Sequence, residues 1–218
     1  MTVLAVRMDA AGTLLNGDLT LFPEARGVVV FAHGSGSSRY SPRNRAVAQA
    51  LNSARFATLL FDLLTDEEEI EDRDTARVRF DIPLLTERLN GAVTWLAERE
   101  DVRDLPVGLF GASTGAAAAL GCAAALPRQV AAVVSRGGRP DLAGPALEQV
   151  TAPVLLIVGG ADDDVLALND TAARRMHCVT KLHVVPGATH LFEEPGALAE
   201  VADTASGWFE RYLREPGT

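Results

Sequence analysis

The chain has 218 residues, 48% of them hydrophobic and 22% charged, with a formal net charge of -9 and a pI of about 4.9. That size and balance predict a single globular domain over residues 1–218 with a sizeable core, and the acidity argues against nucleic acid or an anionic membrane surface as a partner. Cys122 and Cys178 match no metal spacing and set up no disulfide framework. Arg7 and Asp9 interrupt the apolar start and no apolar run is long enough to span a bilayer, so the default expectation is a cytoplasmic protein acting on a small molecule.

Residues 3–21 read as two strands of a hairpin, with either Asn16-Gly17-Asp18 or Ala11-Gly12 supplying the turn. Gly27 to His33 is a continuous apolar strand, the mark of burial on both faces of a parallel sheet, and runs into the small-residue loop Gly34-Ser35-Gly36-Ser37-Ser38. A helix over 43–54 and a buried strand over 56–61 follow. The acidic run Asp66, Glu67, Glu68, Glu69, Glu71 and Asp72 has no ligand-spacing pattern, so it is expected as a solvated loop and not as a metal site. Leu84, Leu85, Leu89, Val93 and Leu96 mark a helix over 83–98. Strand 107–110 and an Ala-rich helix come next, then a strand at 130–135, a short helix at 141–149, a strand at 153–158, a helix at 165–177, a strand at 181–185 and a closing helix at 196–213. This alternation predicts an α/β fold with a doubly wound, mostly parallel sheet behind the antiparallel N-terminal hairpin. The connection between the strands at 130–135 and 153–158 is too short for a cap domain, so an open site is expected.

Between strand 107–110 and the Ala-rich helix stands Gly111-Ala112-Ser113-Thr114-Gly115, the G-x-S-x-G pattern of a nucleophile elbow. A serine in so sharp a turn projects its hydroxyl above the sheet, and its neighbours must be small to avoid collision. The following helix aims its free N–H groups at the serine, where they can meet an oxyanion. Functional groups in open α/β sheets gather at the carboxyl ends of the strands. Those ends carry His33-Gly34-Ser35-Gly36, Ser113, Asp162 after Gly159-Gly160-Ala161, and His190 after Pro186-Gly187-Ala188-Thr189. A serine hydroxyl needs a base to take its proton, and a carboxylate to hold that base in the right tautomer. Ser113, Asp162 and His190 supply the three, in the chain order of the α/β-hydrolase class. The N–H of Thr114 and one from the Gly34-Ser35-Gly36 loop are the candidate oxyanion donors.

The neighbouring groups carry plainer roles. His33 is read as shaping the loop after its strand and not as the base; with Arg136 it is a candidate for substrate contact. Asp163 and Asp164 are solvated or cap the helix from Val165, and Asp141 is the alternative acid. Arg136 and Arg139, beside Gly137-Gly138, either bind a substrate carboxylate or phosphate or pair with the acidic run. His177 and His183 fit structural roles. The acid cluster 162–170 lacks the glycine and terminal glutamate of a calcium loop, and no metal or cofactor is expected. Phe31, Leu63, Leu191 and Phe192 are candidate apolar lining.

Gly111 to Gly115, His33 to Ser38, Val154 to Gly160 with Asp162, and Pro186 to Glu194 together resemble the dienelactone hydrolase-like branch of the α/β-hydrolase superfamily, over about Gly27 to Leu213. The resemblance implies the α/β-hydrolase fold, with a mostly parallel eight-stranded sheet, helices on both faces and no cap domain. It implies Ser113 as nucleophile, His190 as base and Asp162 as acid, with the N–H groups of Ser35 and Thr114 in the oxyanion hole. Dienelactone hydrolases proper carry a cysteine at the elbow, where this chain has Ser113, so the expected activity is that of a serine esterase cleaving small esters, lactones or thioesters. Two other readings compete. One is a hydrolase fold kept as a binding or regulatory module. The other is a dinucleotide-binding start at Gly27 to Gly36, which fails in detail because Arg39 stands at the third glycine position.

Overall fold

Ala11 and Gly12 sit at φ of 55° and 79°, the paired positive values that a two-residue hairpin turn needs. The Gly12 N–H closes the turn on the Asp9 carboxylate at 2.8 Å. This turn joins β1 (Thr2–Ala10) to β2 (Thr13–Leu21) in the computed structural model, which describes residues 1–213. Asn16-Gly17-Asp18, the other candidate turn, lies inside β2. Gly17 is needed there for packing, because a Cβ would come within 2.9 Å of the Met8 methyl and 3.1 Å of the Phe61 Cβ.

The remaining strands are β3 (Val28–Ala32), β4 (Ala57–Phe61), β5 (Val107–Ala112), β6 (Val130–Arg136), β7 (Val154–Gly159) and β8 (Thr180–Val185). They form one eight-stranded sheet in the order β1-β2-β4-β3-β5-β6-β7-β8. β2 pairs antiparallel with β1 and β4, and every later pairing is parallel. The continuous apolar runs of β3, β4 and β7 are buried on both faces, as expected of strands sandwiched between helices. Val28, Val30 and Ala32 join the core under α3 (Ile82–Ala97), α4 (Thr114–Ala125) and α5 (Asp163–Arg175). Val29 and Phe31 point the other way, into a second core under α1 (Pro42–Ser53) and α6 (Ala197–Tyr212).

Two segments depart from expectation. The acidic run is a helix, α2 (Asp66–Thr75), and not a loop. Thr65 caps it: the Thr65 hydroxyl accepts from the Glu68 N–H at 3.2 Å and the Glu68 carboxylate accepts from the Thr65 N–H at 2.8 Å. Asp66, Glu67, Glu68 and Glu69 fill the first turn, where the positive end of the helix favours them. α2 is tied down by ion pairs, since Arg88 of α3 grips both Glu68 oxygens at 2.5 and 2.6 Å. Buried Asp72 accepts the N–H groups of Val78 and Arg79 and the Arg79 guanidinium. Segment 140–149, expected as one short helix, is helical but of the 3₁₀ type and broken in two at Gly144 (φ 55°).

Candidate active site

Ser113 stands between β5 and α4 at φ 51° and ψ -120°, a conformation that a non-glycine residue holds only when its surroundings impose it. Here they do. The Ser113 N–H donates to the Arg136 carbonyl at 3.3 Å, and its carbonyl accepts from Arg139 and Ala116, both at 3.1 Å. The motif glycines make the turn sterically possible. A Cβ on Gly111 would lie 2.4 Å from the Ala116 Cα, and one on Gly115 would lie 2.2 Å from the Ala32 carbonyl oxygen. Gly34 faces the same constraint across the crevice, with Ser113 Cβ and the Ala112 oxygen both 3.0 Å from where its Cβ would be. The elbow and the Gly34 loop are therefore pressed together by backbone contact. The hydroxyls of Ser35 and Thr114 bridge them at 3.1 Å.

Asp162 ends the β7 connection as the N-cap of α5, yet its side chain makes no cap bond. Its Oδ2 instead meets His190 Nδ1 at 2.7 Å, across 28 residues of sequence. The carboxylate side chain is 16% exposed and the imidazole 40%, so the acid is sheltered and the base reachable. His190 leans on the segment that holds Ser113: its Cε1 lies 3.5 Å from the point where Gly137, next after Arg136, would carry a Cβ. The structure thus brings Asp162 and His190 into direct contact and sets His190 against Gly137, the residue after the Arg136 that accepts the Ser113 N–H. Among the described residues neither the Ser113 hydroxyl nor His190 Nε2 has a hydrogen-bond partner.

The other candidates fall into plainer positions. His33 is buried with both ring nitrogens engaged, Nδ1 on the Gly34 carbonyl at 3.0 Å and Nε2 accepting the Leu63 N–H at 2.9 Å. Burial holds its pKa below the ordinary histidine value, against the opposing pull of the Gly34 hydrogen bond and Asp62. A neutral ring used on both sides shapes the loop, and His33 also lines the cavity beside Ser35 and Thr114. Arg139 pairs with Asp141 through two bonds of 2.9 and 2.7 Å, so it does not reach the acidic segment and Asp141 is not free to serve as the acid. Arg136 does not reach that segment either; it is buried and donates to Asn44 at 3.2 Å. His183 meets Glu200 at 2.8 Å on the surface. Burial pushes the Cys122 thiol up to about 12, which makes it an inert core residue.

Beside the Ser35–Thr114 bridge opens a cavity of about 310 Å³. Leu63, Leu64 and Leu85 give it an apolar floor, while Glu69, Asp72, Arg73 and Arg79 from the α2 segment form its outer wall. Of the four apolar residues expected as lining, Leu63 alone takes part. Phe31 and Phe192 lie in the core under α1 and α6, and Leu191 is on the surface. The α2 wall was missed because the acidic composition masked the Thr65-x-x-Glu68 cap, the one legible sign of a helix there.

A mostly parallel eight-stranded sheet with an antiparallel β1–β2 pair, and an elbow serine between its central strand and a buried helix, defines an α/β hydrolase. A lidless serine hydrolase from Xanthomonas campestris has this fold, at TM-score 0.75 and 20% identity over 100% of this chain and 97% of its own. The chain belongs to the dienelactone hydrolase family, whose model matches residues 18–214. A dienelactone hydrolase from Anabaena variabilis is 55% identical, with a TM-score of 0.96 over 98% of this chain and 99% of that one. Putative phosphoribosyl transferases of two Mycobacterium tuberculosis strains are 59% identical over 213 residues. The chain spans about half the length of these curated relatives, 97% of itself against 47% of them. Among the described residues no helix is long and apolar enough to cross a membrane.

Proposed function

We propose that the protein is a serine hydrolase that cleaves a small ester, lactone or thioester through an acyl-enzyme on Ser113. The observation that carries this reading is the strained Ser113 elbow beside an Asp162–His190 pair bonded at 2.7 Å. In this reading Ser113 Oγ attacks the substrate carbonyl carbon while its proton passes to His190 Nε2. Asp162, on Nδ1, holds the productive tautomer and stabilises the imidazolium. The carbonyl oxygen becomes an oxyanion, received by the N–H groups of Thr114 and Ser35 and by the positive end of α4. Collapse expels the alcohol or thiol with the proton from His190. Water then repeats the sequence, releases the carboxylic acid and restores Ser113.

The cavity beside Ser35 and Thr114 is where one arm of the substrate would lie, with the leucines receiving its apolar part. Phosphoribosyl transfer is the activity in the names of mycobacterial relatives of whose length this chain spans 47%. The test is stopped-flow hydrolysis of p-nitrophenyl acetate and butyrate. The expected result is a burst of about one nitrophenol per chain that Ser113→Ala abolishes, with a fluorophosphonate probe labelling Ser113. Turnover that survives the substitution, or a probe that fails to label Ser113 in folded protein, overturns the reading and favours a non-catalytic binding module.

A further inference from the structure

Arg136 is buried, 5% exposed, and among the described residues it meets no counter-ion. Arg39, Arg79 and Arg88, the other arginines with largely sheltered side chains, each meet a carboxylate: Asp62, Asp72 and Glu68. Arg136 ends β6 on the same face of the sheet as Val134, which lies in the core under α1 and α6. Its guanidinium is aimed at the first turn of α1. Nη2 donates to Asn44 Oδ1 at 3.2 Å, and Cζ lies 5.8 Å from the centroid of Phe192, two residues past His190. An amide oxygen and an aromatic face soften a positive charge and do not cancel it. Nε is buried without a hydrogen-bond partner.

Its charged neighbour is a second cation. Arg43, preceding Asn44 in that first turn, also has a buried, unpartnered Nε, and its one carboxylate is the exposed Glu193 at 3.2 Å. Burial, with Arg43 adding to it, pulls the Arg136 guanidinium down to about 10. Two cations and the positive end of a 12-residue helix thus converge on one spot with a single solvated carboxylate nearby. A buried cation left without a counter-ion, as Arg136 is among the described residues, is strongly unfavourable unless an anion completes it. We propose that Arg43, Arg136 and the first turn of α1 form a binding site for a small oxyanion, the terminal phosphate or carboxylate of a ligand, beside the His190 loop. The fork of each guanidinium suits such a group, and the N-terminal turn adds the helix field. The proposal does not depend on the chemistry assigned to Ser113.

The test follows binding alone, so a failure here is distinct from a failure of the hydrolase reading. Thermal unfolding and calorimetric titration are run with inorganic phosphate and with acetate, against sodium chloride at equal ionic strength. The expected result is one site per chain for at least one of the two oxyanions, and a Tm rise of roughly 3–5 °C at ten times its Kd. Binding of phosphate alone identifies a phosphorylated ligand, and binding of acetate identifies a carboxylate. Arg136→Met should remove the site. Should that variant fail to fold, half-exposed Arg43→Ala carries the test and should weaken affinity about tenfold. The proposal is overturned if neither anion exceeds chloride in wild type, or if the folded variants bind as wild type does.

Discussion

Asp162 Oδ2 on His190 Nδ1 is the one side-chain contact that links two of the three sequence-derived site residues directly. Its consequence can be tested at a single atom. Asp162→Asn presents an amide to Nδ1 and favours the wrong imidazole tautomer, so kcat for p-nitrophenyl acetate should fall by about 10⁴-fold with the fold retained. Steady-state kinetics with a circular dichroism control checks it. Gly115→Ala probes the same site sterically. The new Cβ would lie 2.2 Å from the Ala32 oxygen, on backbone that cannot swing away. A loss of about 2–3 kcal/mol in urea unfolding is expected, together with loss of turnover. Ser113, Asp162 and His190 stand out as candidates along the chain because each follows a strand, and the geometry of an α/β sheet gathers such positions at one edge. The solitary burial of Arg136 was not. Whether an arginine meets a carboxylate depends on which helix packs across the sheet, and Asn44 lies far from it in the chain.

At the scale of the element, α2 is a helix where its composition favours a solvated loop. It buries little apart from Asp72, and the Glu68–Arg88 pair and the Asp72–Arg79 cluster hold it in place. Arg88 is nearly fully buried and cannot recover water if its partner goes, whereas Glu68 can. Glu68→Gln should therefore cost about 2–3 kcal/mol in urea unfolding, and Arg88→Met less. Because α2 supplies Glu69, Asp72 and Arg73 to the cavity wall, both substitutions should also raise KM more than they lower kcat. Composition favoured a solvated loop because isolated acidic runs repel themselves. The capping box and Arg79 reverse that outcome locally, and Arg88 reinforces it once α3 is folded.

At the scale of the molecule, acid should destabilise the fold in two stages. His33 has a folded pKa below the ordinary 6.5, burial being the main cause, so the unfolded chain binds the proton first. Its contribution is present at neutral pH and is lost as pH falls below about 6.5, where protonation would also remove the acceptor of the Leu63 N–H. Burial pushes the Asp72 and Glu68 carboxyls up, but the hydrogen bonds from Arg79, Val78, Arg88 and Thr65 outweigh it and hold both below their ordinary values of 3.8 and 4.5. Their contribution is present above those values and lost as pH falls through the depressed ones. Urea midpoints from pH 8 to 3 should decline first below about 6.5 and again below about 4.5. His33→Gln should remove the first decline and leave the second.

The division between sequence and tertiary structure follows the range over which each pattern acts. Apolar runs, turn glycines and the small residues around Ser113 are local constraints, so the strand–helix alternation, the elbow and the order of Ser113, Asp162 and His190 could be read along the chain. Choosing Ala11-Gly12 over Asn16-Gly17-Asp18 took the pairing of β2 with β4, which needs Gly17 bare against Phe61. The helical state of the acidic run, the joining of Arg139 to Asp141 and the isolation of Arg136 were likewise decided by packing. A charge finds its partner in space, and the energy of that pairing depends on burial that no stretch of sequence carries by itself.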